Sequence, residues 1–198
     1  MKLTKNELRD QQQRLSQLKR YLPTLQLKKA MLQLEVQEAI AELLKVKADY
    51  HKHYAYVSGY ASLFLTPLGV ELKDALKVVE IKKHYENVAG VEVPYFDDII
   101  FEKLEYSLYV TPPWLDAAID GLQALTESQV RIDIAEEKKT ALEEELRQVS
   151  IRVNLFEKIL IPRAMGNIKK IKVFLGDQQL AAVSRAKVAK GIIEAKKK

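Results

Sequence analysis

Residues 15–43 read LSQLKRYLPTLQLKKAMLQLEVQEAIAEL, and apolar side chains recur along this stretch at alternating steps of three and four residues. Such a seam, sustained over several heptads, is typical of a left-handed coiled coil rather than of an ordinary surface helix. We therefore predict one helix from about residue 4 to about residue 62, with Pro23 marking either a kink or a late start. The predicted seam positions are Leu15, Leu18, Leu22, Leu25, Lys29, Leu32, Val36, Ala39, Leu43, Val46, Tyr50, His53, Val57, Tyr60 and Phe64.

A second seam occupies the C-terminal part of the chain. Thr111-Pro112-Pro113 predicts the start of its helix, because proline is tolerated in a first turn. Beyond Pro162 the spacing lengthens, which predicts a local change in the supercoil. The main positions of this seam are Leu115, Ala118, Leu122, Leu125, Gln129, Ile132, Ala135, Lys139, Leu142, Leu146, Val149, Val153, Phe156 and Leu160, followed by Ala164, Ile168, Ile171 and Leu175.

The middle of the chain differs from both seams. Residues 78–85 and 91–96 are rich in β-branched and aromatic side chains and flank the turn-like Asn87-Val88-Ala89-Gly90, which predicts a β-hairpin over about 78–96. The predicted fold is therefore mainly α: a long antiparallel two-helix coiled coil with a short β-hairpin and a small helical or loop region in its middle. Residues 1–65, 66–110 and 111–198 are its three parts, within one elongated domain.

The charge of the chain is concentrated at one terminus. The net charge is +5, and the residues from Ala181 onward carry six basic side chains against Glu194 alone, so the remaining chain is neutral overall. The absence of cysteine excludes disulfides and thiolate metal sites. The polar N-terminus and the short apolar stretch at 56–70 predict a cytoplasmic chain without membrane insertion.

Motifs for chemistry are missing from the sequence. Neither a phosphate-binding GxxxxGK[ST] or GxGxxG loop, nor GxSxG, nor HExxH occurs. His51 and His53 lie two residues apart, so on one helix they point to different sides and do not chelate one ion. We therefore expect no catalytic residue, no metal and no cofactor.

Three sequence segments resemble one protein family. Arg152-Val153-Asn154-Leu155-Phe156-Glu157 and Ile161-Pro162-Arg163 resemble the "RRVNALE...IPR" signature of the D subunit of V/A-type rotary ATPases. Residues 86–94 resemble the family's "NVAGV...P" hairpin, and residues 27–32 fall where it has a Leu/Lys-rich motif. Ile151 replaces the first arginine of the signature, and Leu155-Phe156 replaces Ala-Leu.

The resemblance implies a central rotor stalk that transmits torque between a ring of catalytic A and B subunits and a membrane ring, coupling ATP hydrolysis or synthesis to proton or sodium transport. It implies a small F subunit and a C-type subunit as further partners, and no catalysis by this chain. Leu63, Phe64, Leu65 and Trp114 are candidates for an exposed apolar foot. Candidate partner contacts are Arg152, Asn154, Glu157, Arg163, Arg185, Lys187, Lys190, Tyr85, Tyr95 and Phe96.

The alternative is a coiled-coil adaptor whose basic tail binds nucleic acid or an anionic membrane surface. The neutral remainder of the chain argues against it, because proteins that follow phosphate backbones spread basic charge along a face. On the sequence alone we expect no nucleic-acid partner.

Overall fold

A computed structural model describes residues 2–59, 61–63, 76–102 and 111–196. Helix α1 (Lys5–Ser58) is followed by strands β1 (Val78–Val88) and β2 (Val91–Phe101). Helix α2 (Leu115–Asn154), a π-helical turn (Leu155–Leu160) and helix α3 (Ile161–Lys196) complete the chain. The predicted mainly helical fold with a two-stranded antiparallel hairpin is confirmed. Tyr60, Phe64 and Leu65 lie outside the described residues.

Helix α1 begins at a capping residue and passes through its proline. The backbone N–H of Glu7 donates to Thr4 Oγ1 at 3.3 Å, which satisfies a donor that has no partner within the helix. The helix is already formed at Lys5, so the alternative of a late start at Pro23 is wrong. Pro23 has no backbone N–H to donate to the carbonyl of Lys19, and both residues are exposed.

The compact unit of residues 30–147 holds the part of the seam most withdrawn from solvent. Leu43, Ile132 and Ala135 form a buried cluster, against which Val46 and Tyr50 pack. The ion pairs Lys138–Glu42 and Lys47–Glu136 join progressively later residues of α1 to earlier residues of α2, as antiparallel helices require. Leu32, Val36 and Ala39 are buried in the same stretch of α1, and Leu115, Ala118 and Leu142 in α2.

The second compact unit comprises residues 1–29 and 148–198. Leu15, Leu18, Leu22 and Leu25 of α1 are only half-buried here. On the facing helices α2 and α3, the seam residues Val149, Val153, Ala164 and Ile171 are buried. Leu146, which belongs to the unit of residues 30–147, is half-buried. The seam in this unit is therefore shallower on the α1 side.

The π-helical turn explains the lengthened spacing near Pro162. Ile161 donates its backbone N–H to the carbonyl of Phe156, five residues earlier, so this turn takes one extra residue. The seam positions Phe156, Leu160 and Ala164 are each four residues apart. The extra residue of the π-helical turn keeps these side chains on the same side of the helix despite the longer spacing. The wider turn also gives room to the ring of Pro162, which in a regular helix clashes with the preceding turn.

The hairpin turns at Ala89 and Gly90, which both have positive φ, at 51° and 84°. Val88 pairs with Val91, so these two residues form a tight loop of the kind whose twist matches that of the flanking strands. Both strands are longer than the sequence predicted, and β2 extends to Phe101. Ile99, Ile100 and Phe101 continue the pairing after Asp97, which is the extra residue of a bulge.

Among the seam positions that the structure describes, the prediction for Gln129 is wrong. Gln129 is exposed, and its side-chain amide donates to Asp133 one turn later on the same surface. The buried residue is Ser128, whose hydroxyl donates to the carbonyl of Ala124 at 2.7 Å. An internal hydrogen bond lets a small polar side chain occupy the interior, which a hydrophobic pattern does not reveal.

Gly121 marks a close contact between the two helices. A Cβ at this position would lie 3.2 Å from a ring carbon of Tyr56 and 3.3 Å from a methyl carbon of Val57. Val57 is buried, so it has little freedom to move away. A Cβ at Gly166 of α3, in contrast, would meet no atom within 4 Å.

We predict that Gly121→Ala and Gly166→Ala change stability differently. Alanine is favoured over glycine in a helix by about 1 kcal/mol, so Gly166→Ala should raise the midpoint of thermal unfolding. Gly121→Ala should gain nothing or be destabilising, because its methyl group crowds Tyr56 and Val57. Calorimetry of both variants checks the prediction, and an equal gain at the two positions would contradict it.

Candidate partner-binding surfaces

The hairpin contacts the helices through the edge of strand β2, and not through one face of the two-stranded sheet. Val93 and Pro94 are consecutive and both buried, although neighbouring side chains on a strand point to opposite faces. Tyr95 and Phe96, which also point to opposite faces, both reach cations of α2. Every residue of β1 between its two ends is exposed. Apart from Lys83, which reaches Glu137 of α2, the exposed side chains of β1 are therefore accessible to another molecule.

Lys138 is the centre of the contact between hairpin and helices. It is 8% exposed, its ammonium lies 2.8 Å from Glu42 of α1 and 4.0 Å from the centroid of the Tyr95 ring. Burial disfavours the charged form, but the hydrogen bonds and charges of Glu42 and Tyr95 outweigh this effect and raise the pKa of Lys138 above its ordinary value of 10.5. One ammonium thus joins α1, α2 and β2.

Two more cations hold the hairpin in place. The Arg131 guanidinium lies 4.7 Å from the centroid of the Phe96 ring, within the range of cation–π attraction. Lys83 of β1 lies 3.4 Å from Glu137 of α2. A cavity of about 260 Å³ remains between β2 and the helices, with Arg131, Lys138 and Glu42 among its lining residues. The contact combines apolar side chains of β2 with these cations, and it is incompletely filled.

His84 links the two strands on the solvent side. Its Nδ1 lies 2.7 Å from Asp97 Oδ1, and its ring stacks on Tyr95 with centroids 5.4 Å apart. The bulge at Asp97 brings this carboxylate to the histidine. Tyr95 therefore contacts both His84 and Lys138, so the solvent side of the hairpin is connected to its anchored side.

The aromatic candidates for partner contact differ in where they lie. Tyr95 and Phe96 are half-buried against the cations of α2, so they anchor the hairpin within this chain. Tyr85 is 55% exposed and lies beneath the ammonium of Lys83. Of the apolar foot, Leu63 is exposed and Trp114 half-buried. Whether any of these residues contacts a partner stays a prediction.

The residues of the signature segment divide into exposed polar and half-buried apolar side chains. Arg152, Asn154, Glu157 and Arg163 are exposed, whereas Phe156 and Leu160 are half-buried and Val153 is buried. Arg163 lines a groove of about 500 Å³ together with Arg14 of α1. Arg14 was not singled out by the sequence, since only the pairing of the helices places it opposite Arg163.

The C-terminal end of α3 exposes large apolar side chains. Leu180, Val183 and Val188 are 69%, 66% and 63% exposed, and Ile192 and Ile193 are also more than half exposed. At 3.6 residues per turn these five side chains point to every side of the helix, with no gap wider than about 100°. The candidates Arg185, Lys187 and Lys190 are exposed among them.

The two compact units carry opposite charge. Residues 1–29 and 148–198 contain 20 Lys and Arg against 5 Asp and Glu, a net charge of +15, whereas residues 30–147 contain 12 against 22, a net charge of −10. Outside the basic tail, the chain is neutral overall because the basic charge in the rest of the first unit cancels the acidic charge of residues 30–147. The interpretation that basic charge belongs only to the C-terminus is wrong.

Replacing Lys138 by methionine should loosen the hairpin. The variant keeps most of the apolar stem but loses the ion pair and the cation–π contact, so we expect the hairpin to open more easily by about 1–2 kcal/mol. Hydrogen exchange of the β2 amides measures this change. Lys45→Met, at an exposed position of α1, is the matched control and should leave exchange unaltered.

The pH dependence of the same contact has a fixed sign. Because the pKa of Lys138 is raised in the folded chain, its contribution is fully present below 10.5 and is lost as pH rises through the higher folded value. The Lys138→Met effect should thus be constant at neutral pH and shrink only in strong alkali. Unchanged β2 exchange in the variant at neutral pH would contradict the anchoring role.

The described residues contain no metal-binding cluster of three or more His, Cys, Asp or Glu. Among the described helices, none is sufficiently long and apolar to cross a membrane.

Comparison with known proteins places the chain in a family. The family model for the D subunit of ATP synthase matches residues 7–191. The chain is 43% identical over 198 residues to the D subunits of the V-type ATP synthases of Chlamydia pneumoniae and Chlamydia abortus, covering 100% of this chain and 95% of each relative. It is also 43% identical over 195 residues to the D subunit of the V-type ATP synthase of Chlamydia trachomatis serovar L2, covering 98% of this chain and 96% of that relative. This chain belongs to the D-subunit family of V-type ATP synthases.

Proposed function

We propose that this chain is the central rotor shaft of a V/A-type ATPase or ATP synthase, without catalytic activity of its own. It transmits torque between a ring of catalytic A and B subunits and an ion-translocating membrane ring, with the small F subunit and a C-type subunit as further partners. It acts on the cytoplasmic side, peripheral to the membrane. Family membership supports this proposal.

The observation that carries the proposal is the apolar exposure at the end of α3. Large apolar side chains are normally covered in the folded state, yet Leu180, Val183 and Ile192 point to different sides of α3 and are all exposed. A flat partner would cover only one side of the helix. A partner that surrounds it, such as the central opening of a ring, covers every side.

Torque transmission follows from the asymmetry of the shaft. A single helix pair contacts three chemically identical catalytic sites through different side chains, and each contact favours a different conformation of its site. Rotation then shifts the conformational populations of the three sites in turn. The buried side chains of the seam, such as Leu43 and Ile132, resist relative movement of the helices during this process.

One specific observation favours the alternative function, a coiled-coil adaptor that binds nucleic acid. The net charge of +15 in residues 1–29 and 148–198 is distributed over both ends of the chain, as a surface that follows phosphates requires. Binding of nucleic acid is therefore a second candidate function. The exposed apolar side chains of α3 favour the rotor, because a phosphate backbone offers them no apolar cover.

We predict that the double variant Val183→Asp/Ile192→Asp assembles poorly with the A/B ring while its own stability is unchanged. Both residues are more than half exposed, so substitution should shift the unfolding midpoint little. In the ring the two carboxylates would be desolvated against apolar side chains. Reconstitution with purified A and B subunits, followed by size-exclusion chromatography and ATP hydrolysis, measures assembly and turnover.

The matched control is Val183→Leu/Ile192→Leu, which keeps both side chains apolar and should assemble like the natural chain. Normal assembly and turnover of the aspartate variant would count against insertion of α3 into a ring.

A further inference from the structure

Helix α1 carries a second row of heptad spacing on the side opposite the seam. Eight of its residues follow one another at alternating steps of four and three, and each of them is exposed. The buried seam positions Leu32, Val36 and Leu43 lie about half a turn away around the helix. This second row, the outer stripe, consists of Ala30, Leu34, Gln37, Ala41, Leu44, Ala48, His51 and Ala55.

The outer stripe is largely apolar at positions that a two-helix coiled coil usually fills with polar side chains. Leu34 and Leu44 are 55% and 64% exposed, and Met31, Ile40 and Tyr54 beside them are exposed as well. A contiguous exposed apolar patch marks an interaction site. The stripe extends over about 38 Å of helix, and its heptad spacing is the spacing that accepts the side chains of another helix.

The charges along this part of α1 specify which helix fits. Residues 30–43 contain three acidic and no basic side chains, a net charge of −3. Residues 44–55 contain three lysines and Asp49, a net charge of +2. An acidic half followed by a basic half is complementary to the same helix running in the opposite direction. A parallel pair would instead place like charges beside each other.

A reversed second copy gives every position of the outer stripe a partner. If Ala41 lies opposite Leu44 of the second copy, the heptad spacing fixes the other layers of the contact. These layers pair Gln37 with Ala48, Leu34 with His51, and Ala30 with Ala55. Leu44, the most exposed leucine of the stripe, therefore packs against an alanine, which leaves space for its side chain.

The same register brings opposite charges together beside the stripe. Glu38 lies next to Lys45 of the second copy, and the twofold symmetry of the pair repeats this contact. Among the ion pairs of the described residues, none includes Glu38 or Lys45. Glu42 and Lys47, in contrast, are already paired with residues of α2.

We propose that two free copies of this chain form an antiparallel dimer through the outer stripe of α1. The contact is self-complementary, so one twofold pair satisfies it and no larger assembly follows. Gln37 and His51 in the interior specify the register at the expense of stability, which makes the dimer reversible. This inference goes beyond the rotor function, because it concerns the chain before it is assembled with other subunits.

The test measures the mass of the full-length chain by light scattering and sedimentation equilibrium at increasing concentration. Glu38→Lys and Lys45→Glu each place like charges opposite each other twice in the dimer, and the double variant Glu38→Lys/Lys45→Glu restores opposite charges. Leu34→Asp/Leu44→Asp removes the apolar contact. Its matched control is Leu180→Asp/Val188→Asp, at two exposed positions of α3. Circular dichroism at low concentration establishes that each variant is folded.

We expect a monomer–dimer equilibrium for the natural chain, weakened about tenfold or more by each single charge reversal. The double charge variant should dimerise like the natural chain, and Leu34→Asp/Leu44→Asp should stay monomeric. The α3 control should dimerise normally.

A natural chain that is monomeric at concentrations up to about 100 µM would overturn the proposal. Dimerisation that survives Leu34→Asp/Leu44→Asp would reject the outer stripe as the contact. Failure of the double charge variant to recover would reject the antiparallel register, and assemblies larger than a dimer would reject the closed pair.

Discussion

Two paired helices contact each other along a single seam. This constraint determines which side chains of the molecule are buried and which stay exposed. The seam buries a narrow stripe of each helix, as at Leu43 and Ile132, and leaves the remaining faces in solvent. A larger domain would cover those faces with further layers of its own structure. Here the exposed apolar side chains, from Leu44 of α1 to Ile193 of α3, are therefore available for contact with other subunits.

The regular parts of the fold could be predicted because they follow a period. Heptad spacing identified both long helices, and β-branched residues around Ala89-Gly90 identified the hairpin. The π-helical turn was not predictable as such, although the longer spacing beyond Pro162 indicated that something changes there. The exposure of Gln129 was missed because a buried serine that bonds its own helix leaves no hydrophobic signal.

The candidate site was less predictable than the fold. Lys138 lies one residue from the seam position Lys139, and no local pattern distinguishes it from a solvated lysine. Its importance arises only when the hairpin brings Tyr95 to it and α1 brings Glu42. The pairing of Arg14 with Arg163 in one groove is likewise a product of the antiparallel arrangement. The charge difference between the units is present in the sequence, but it is hidden until residues 1–29 are grouped with 148–198.

If the C-terminal helix turns inside a ring of catalytic subunits, fixing it to the ring must stop turnover, and the absence of cysteine from this chain allows a direct test. The exposed Val183 can be replaced by cysteine, which then carries a photoreactive cross-linker with a reducible disulfide and is assembled into the A/B complex. ATP hydrolysis is measured before illumination, after cross-linking to the ring, and after reduction of the linker. We expect cross-linking to stop hydrolysis and reduction of the linker to restore it. Undiminished hydrolysis by the cross-linked complex would contradict a rotating shaft.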